Sequence, residues 1–347
     1  LTKGYDENTT YLVPKRTKTN TNRPYPYGDL PQKDTLFAEI DYKNLKAVVD
    51  SAFTNNQIKK TRSVLVLYKD QILAEEYADG FDENSLLQGW SMTKSITATI
   101  YGILQKQGKL NINDNAKIDA WKNDERANIT INDLLHMNSG LAWQEVYEGI
   151  SDVTKMLFLA ENMAKAQEEK QLIGKPNESW NYSSGTSNLL SGMLRKYFDS
   201  HQDYLDFWYS SLIDKIGMHS MVIEADLAGN YVGSSYSWAT TRDWAKFGLL
   251  YLHKGNWNGE QLFDESWVDY VKTPTETSKG VYGGHFWLNA GGKYPDAPKD
   301  IYSANGFQGQ RVFIIPSKGL VVVRMGLVGD SGFDFNLFLK EITDCVE

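Results

Sequence analysis

The apolar positions change period several times along the chain, and each change marks an element. Leu45, Val48 and Val49 share one stripe between Asp41 and Ala52, which predicts an amphipathic helix. Ser63 to Tyr68 is an almost unbroken apolar run. The polar pair Lys69-Asp70 and a second extended run, Gln71 to Tyr77, follow it, and the three together predict a β-hairpin with a two-residue turn. A polar turn, Asp82 to Trp90, leads into a helical stretch from Ser91 to Gln107, with Gly108 placed to end it. Helical patterns then alternate with polar loops over Ile131–Met137, Val153–Ala166, Ser187–Tyr197 and Tyr204–Ile216. Thr240 or Thr241 caps a further helix that carries Trp244, Phe247 and Leu250 on its buried side. Strand patterns return at Gly283–Ala290, Arg311–Ile315 and Leu320–Met325, with a turn at Pro316–Gly319 and a closing helix from Phe333 to Val346.

Strands at both ends with helices between predict an α/β fold of the α+β type. An antiparallel sheet is built from the N- and C-terminal segments, with flanking helices and an inserted, mostly helical subdomain. Residues 1–35 are rich in Thr, Asn, Pro and Lys without periodicity, and are expected to form an extended arm. Residues 36–347 are expected to form one domain, with a sheet part over 36–100 and 236–347 and a helical part over 101–235. A cleft between the two parts is the default site for a ligand.

Composition narrows the function. With 347 residues, 41% of them hydrophobic, the chain has material for a sizeable core. The net charge of −8 and the lack of a long Lys/Arg block argue against a nucleic-acid partner. No P-loop or Gly-rich dinucleotide turn is present. No run of eighteen apolar residues occurs, so no membrane span is expected. Cys345 is the single cysteine and the five histidines are scattered, so neither an internal disulfide nor a metal site is expected. The chain starts at Leu1 rather than Met, which suggests a periplasmic or secreted protein whose export signal has been removed, the alternative being a cytoplasmic one.

Ser91-Met92-Thr93-Lys94 carries the clearest chemistry. Ser91 and Lys94, three apart at a helix start, share one face. A serine hydroxyl needs an adjacent base to act as a nucleophile, and Lys94 can be that base if burial and the helix dipole lower its pKa. Backbone N–H groups at the same helix start are available for a developing oxyanion. Tyr182, in Asn181-Tyr182-Ser183-Ser184-Gly185, is either a proton shuttle or an ordinary packed tyrosine. Ala304-Asn305-Gly306-Phe307-Gln308-Gly309 leads into the Arg311 strand, and its glycines permit either a close ligand approach or a simple bulge.

Together, in this order, these segments resemble the serine β-lactamase and penicillin-recognising superfamily. The S-x-x-K helix start is one of its signatures. Tyr182-Ser183-Ser184 looks like the Y-x-N/S element of its class C-like branch, and Ala304-Asn305-Gly306 falls where that group has K-T-G or H-x-G. Leu134 to Leu141, Ala239 to Gly248 and Gly255 to Gly259 also match, so the resemblance runs over about residues 35–345. Its closest flavour is 6-aminohexanoate-dimer (nylon-oligomer) hydrolases and related carboxylesterases.

The resemblance implies a serine hydrolase that forms an acyl-enzyme on a small amide or ester substrate and needs no cofactor. Ser91 would be the nucleophile, with Lys94 and Tyr182 sharing the base role. The oxyanion hole would be the N–H groups of Ser91 and Phe307. Ser184, Asn305, Gly306, Tyr147 and Trp180 are the expected substrate contacts, and Trp90 either lines the pocket or packs in its wall. His136 is expected to be a structural hydrogen-bonder, and Arg311 a possible carboxylate anchor. Ala304 stands where β-lactamases have a cation. D-alanyl peptidase, true β-lactamase and a weakly acylating sensor are the alternatives.

Overall fold

The computed structural model describes residues 12–17, 22–329 and 331–347. The parts of the expected arm at 1–11 and 18–21 lie outside the described residues. Where the arm is described it touches the rest of the chain. Arg16 donates to the Asp214 carboxylate at 2.8 Å, and Gln32 bridges the Tyr25 and Asp70 carbonyls at 2.8 and 2.6 Å.

Among the described residues, six strands form one antiparallel sheet: β1 (Thr61–Tyr68), β2 (Gln71–Tyr77), β3 (Trp287–Leu288), β4 (Tyr302–Gly306), β5 (Gln310–Ile315) and β6 (Leu320–Gly326), in the spatial order β2-β1-β6-β5-β4-β3. The β1–β2 hairpin turns through Lys69 and Asp70, both at positive φ, as a tight two-residue turn demands. β1 then pairs with β6, from Thr61 opposite Gly326 to Tyr68 opposite Leu320, so the two ends of the chain meet at the centre of the sheet.

These central strands read as unbroken apolar runs because both faces of the sheet are covered. Leu65, Leu67, Val321, Val323, Val312 and Ile314 face one core. Val64, Val66, Leu320, Val322, Phe313 and Ile315 face another. The second core is closed by α1 (Tyr42–Ser51), which buries the predicted Leu45, Val48 and Val49, and by the C-terminal helix. The first is covered by α2 (Thr93–Lys106), by the helical segments that follow it, and by the helix that Thr240 caps, Thr241–Leu252.

The helix expected over Tyr204–Ile216 begins at His201, where Ser200 caps it, and widens from Tyr209 to Ile213, and four other segments also differ from the sequence expectation. Val153–Ala166 is not one helix but two, α3 (Asp152–Leu159) and α4 (Met163–Glu168), because Ala160 is extended and the Asn162 side chain caps a new start. The helix expected over Ser187–Tyr197 is α5 (Ser184–Met193), which begins three residues earlier because the Ser183 hydroxyl accepts from Thr186 N–H, and it continues as a tighter turn to Tyr197. Within Gly283–Ala290 only Trp287 and Leu288 pair as strand, since His285 sits at φ +61°. β4 had no apolar pattern to announce it, yet it is fully buried.

Candidate active site

Ser91 lies in a single tight turn, Trp90–Met92, immediately before α2. Trp90 holds φ +49°, a left-handed conformation costly for a bulky residue, on the order of 1–3 kcal/mol. The turn is wedged between two close approaches. A Cβ on Gly89 would lie 2.3 Å from the Trp244 ring, and one on Gly306 would lie 2.1 Å from the Gly89 carbonyl oxygen. β4 can therefore run directly beside the Ser91 turn only because position 306 has no side chain. Since the resemblance makes the Phe307 N–H an oxyanion donor, Gly306→Ala, which would push the strand edge away, is expected to lower kcat on an activated ester by about 10²-fold, the usual cost of one lost donor. Steady-state kinetics beside a melting curve will check this, and wild-type kcat would count against it.

Lys94, 1% exposed, points back at Ser91 from the first turn of α2. Its Nζ is 2.9 Å from Ser91 Oγ, 2.9 Å from Ser184 Oγ and 3.0 Å from the Ser234 carbonyl. Burial lowers its pKa to about 8, with the Glu145 charge opposing that shift. The Tyr182 ring lies 4.9 Å from the same Nζ, and its phenol is within hydrogen-bond reach of Ser91 and Trp287. Burial first, then Glu145, hold that phenol above its ordinary pKa, so it carries its proton at neutral pH. The three residues picked out in sequence, 91, 94 and 182, thus meet at one point.

That point opens into a cleft of about 530 Å³, which Tyr147, Trp287, Lys293, Asn305, Phe307 and Arg311 also line. The Tyr147 ring stacks on Phe307 at 4.9 Å, which brings the 142–152 loop over the cleft mouth. The Phe307–Gly309 turn is braced from below: Gln310 donates to the Phe307 carbonyl at 3.2 Å and Arg324 to the Gly309 carbonyl at 3.0 Å. Asn305 is 8% exposed, and its Oδ1 has no hydrogen-bond partner among the described residues. Arg311 faces the cleft with Nη1 on the Gly306 and Gln310 carbonyls and its guanidinium over Phe335 at 4.8 Å.

Two expected substrate contacts are corrected. Ser184 does not reach the cleft. Because Ser183 caps α5, the next residue turns inward, and Ser184 is fully buried between Lys94 and Glu145. Trp180 stands behind the cleft wall, packed on Tyr282 at 5.5 Å and Trp287 at 6.1 Å. Trp90 likewise packs edge-on against Phe307 and Tyr236 rather than lining the opening. His136 is buried, hydrogen-bonded to Thr275 at 2.9 Å and pushed down to about pKa 4 by burial, which fits a structural role.

Sequence reasoning missed Glu145. Its Oε1 accepts from the Ser184 and Tyr147 hydroxyls, and its Oε2 accepts from Ser184 N–H at 2.9 Å and Trp143 Nε1 at 2.5 Å. The only signal was an acidic residue spaced between two aromatics, which a surface loop would show equally.

A sheet of N- and C-terminal strands, with a Ser–Lys pair at a helix start and a tyrosine from the helical part, defines a penicillin-recognising type of domain. Residues 51–326 match the family model described as Beta-lactamase, and the chain belongs to that family. Among solved structures it is similar to a protein from Bacillus anthracis described as a 6-aminohexanoate-dimer hydrolase (20% identity, 96% of this chain and 89% of that one, TM-score 0.72). It is also similar to a family VIII carboxylesterase (14%, 90% and 99%, TM-score 0.69). A third is a penicillin-binding protein homologue from Caulobacter crescentus (13%, 87% and 96%, TM-score 0.68). No curated protein sequence matches the chain. Among the described residues, no helix is long and apolar enough to cross a membrane, and no group of His, Cys, Asp and Glu is placed to hold a metal ion.

Proposed function

We propose that this protein is a serine hydrolase that cleaves an amide or ester bond through an acyl-enzyme on Ser91. The observation that carries the reading is a buried amine of lowered pKa, about 8, 2.9 Å from a serine hydroxyl at the end of a cleft. Ser91 Oγ bonds to the carbonyl carbon as its proton passes to neutral Lys94, and the carbonyl oxygen takes the negative charge facing the N–H groups of Ser91 and Phe307. As the C–N or C–O bond breaks, the Tyr182 phenol gives its proton to the leaving group, and the Lys94 ammonium proton restores the phenol. Water then attacks the acyl-enzyme by the reverse route. Lys94 has its pKa lowered, which frees its lone pair, whereas Tyr182 has its pKa raised and keeps its proton, and this contrast favours Lys94 as the base of acylation.

The substrate class favoured is a linear amide or ester of the aminohexanoate-oligomer or short-chain carboxylester kind. Ala304 is fully buried and carries no cation, where β-lactamases use one to hold their substrate. A panel of a short-chain nitrophenyl ester, a linear aminohexanoate amide and nitrocefin tests this, with turnover of the first two and little of the third expected. Efficient nitrocefin hydrolysis would overturn the substrate assignment.

The pH dependence follows from the sign of the lysine shift. Lys94 must be neutral to accept a proton, so kcat/KM should rise with pH and level off above about 8, well below the usual lysine range. A profile flat from pH 6 to 9 would remove Lys94 from the base role.

A further inference from the structure

A neutral lysine amine has two N–H donors and one lone pair, and as a base it works only if the lone pair points at the serine. Lys94 Nζ has three neighbours to distribute these among: the Ser234 carbonyl, Ser184 Oγ and Ser91 Oγ. The carbonyl can only accept. Ser184 is ambiguous by itself, because a hydroxyl both donates and accepts. Were it to donate to Lys94, it would consume the lone pair and idle the base.

Glu145 removes the ambiguity. Its carboxylate has no proton to offer, and four donors converge on it: two hydroxyls on Oε1, and a backbone N–H and an indole N–H on Oε2. The Ser184 hydroxyl proton is therefore committed to Glu145, leaving Ser184 an acceptor toward Lys94. With Ser234 and Ser184 both accepting, the two amine N–H groups are used and the lone pair is left for the Ser91 proton.

We propose that Glu145 is a positioning residue that, through Ser184, aims the lone pair of Lys94 at Ser91. This rests on the serine hydrolase reading. Glu145 has no hydrogen bond to Lys94 and does not itself line the cleft, so its effect on Lys94 runs through Ser184. The same carboxylate also takes the Tyr147 hydroxyl at 2.8 Å, which ties the loop over the cleft to the proton network beneath it. Gln at 145 is not a mild change: either amide orientation turns an NH₂ group toward a pair of existing donors.

The test is the rate at which a fluorophosphonate probe labels Ser91, followed by intact mass across pH, in the wild type, Glu145→Gln, Ser184→Ala and the double variant. The probe needs only an activated serine, so the natural substrate is not required. Glu145→Gln should label about 10- to 100-fold more slowly at its plateau, the range expected when a reacting group is misaimed without being removed. Its pH limb should move to lower pH, because losing the carboxylate charge makes Lys94 easier to deprotonate. The other titratable groups facing Lys94 hold their states across that range: the Tyr182 phenol stays protonated and His285, pushed down to about 3 by burial, stays neutral. The double variant should be no slower than the slower single variant, since both break one relay.

Wild-type labelling by Glu145→Gln, or defects that multiply in the double variant, would overturn the proposal. If Glu145→Gln does not fold, Ser184→Ala decides alone, because it keeps the Ser184 N–H on Glu145 and loses only the relay hydroxyl; labelling at the wild-type rate would then sink the idea. A wild type that is not labelled at Ser91 would instead overturn the hydrolase reading itself.

Discussion

Ser91→Ala is expected to abolish both acylation and turnover while leaving the fold intact. The hydroxyl removed is half-buried at the end of the cleft, and Lys94 keeps two other oxygen partners, Ser184 Oγ and the Ser234 carbonyl. The substitution therefore strands no buried charge and should move the melting temperature little. Without Oγ no acyl-enzyme forms, and loss of a serine nucleophile costs on the order of 10⁶ in kcat. The readouts are ester hydrolysis and intact mass after exposure to a fluorophosphonate. An adduct elsewhere on the chain, or hydrolysis near the wild-type rate, would place the chemistry at another residue.

Tyr182→Phe should divide substrates by their leaving groups. The ring keeps its packing against Trp287 at 5.2 Å and Tyr282 at 5.6 Å, so only the proton donor is lost. An amine leaving from an amide must be protonated as its bond breaks, whereas a nitrophenolate leaves unaided. Amide turnover should fall by about 10²–10⁴-fold, the usual contribution of a positioned acid, and nitrophenyl ester acylation by much less. Equal losses on the two substrates would show that Tyr182 is not the leaving-group acid.

Much of this arrangement is legible in the sequence wherever the determining interaction is local. The hairpin could be read because Lys69-Asp70 is a two-residue turn between extended runs, and the Thr240 cap because it precedes a helical stripe. Ser91 and Lys94 could be paired because helix geometry alone puts residues three apart on one face. What was lost was lost to distance along the chain. Glu145 meets the Lys94 network through Ser184, thirty-nine residues on. Ser184 was read as a substrate contact because the hydroxyl pattern cannot say which way a residue after a helix cap will turn. β4 escaped because Tyr302-Ser303-Ala304-Asn305-Gly306 is small and polar in composition, and its burial comes from neighbours rather than from its own pattern. The single helix expected over Val153–Ala166 failed where Asn162 preferred its own capping bond to helix continuation.

The pairing of β1 with β6 has a consequence for how the protein is made. Thr61 meets Gly326, so β1 waits until β6 has been made before its second neighbour arrives. Until then the hairpin presents an apolar strand edge with nothing to cover it, and the Phe307 turn that completes the cleft has yet to leave the ribosome. On the proposed mechanism the nascent chain passes through a long interval with an apolar edge exposed and one side of the cleft missing, so a chain cut short before β4 is expected to be insoluble and inactive rather than partly functional.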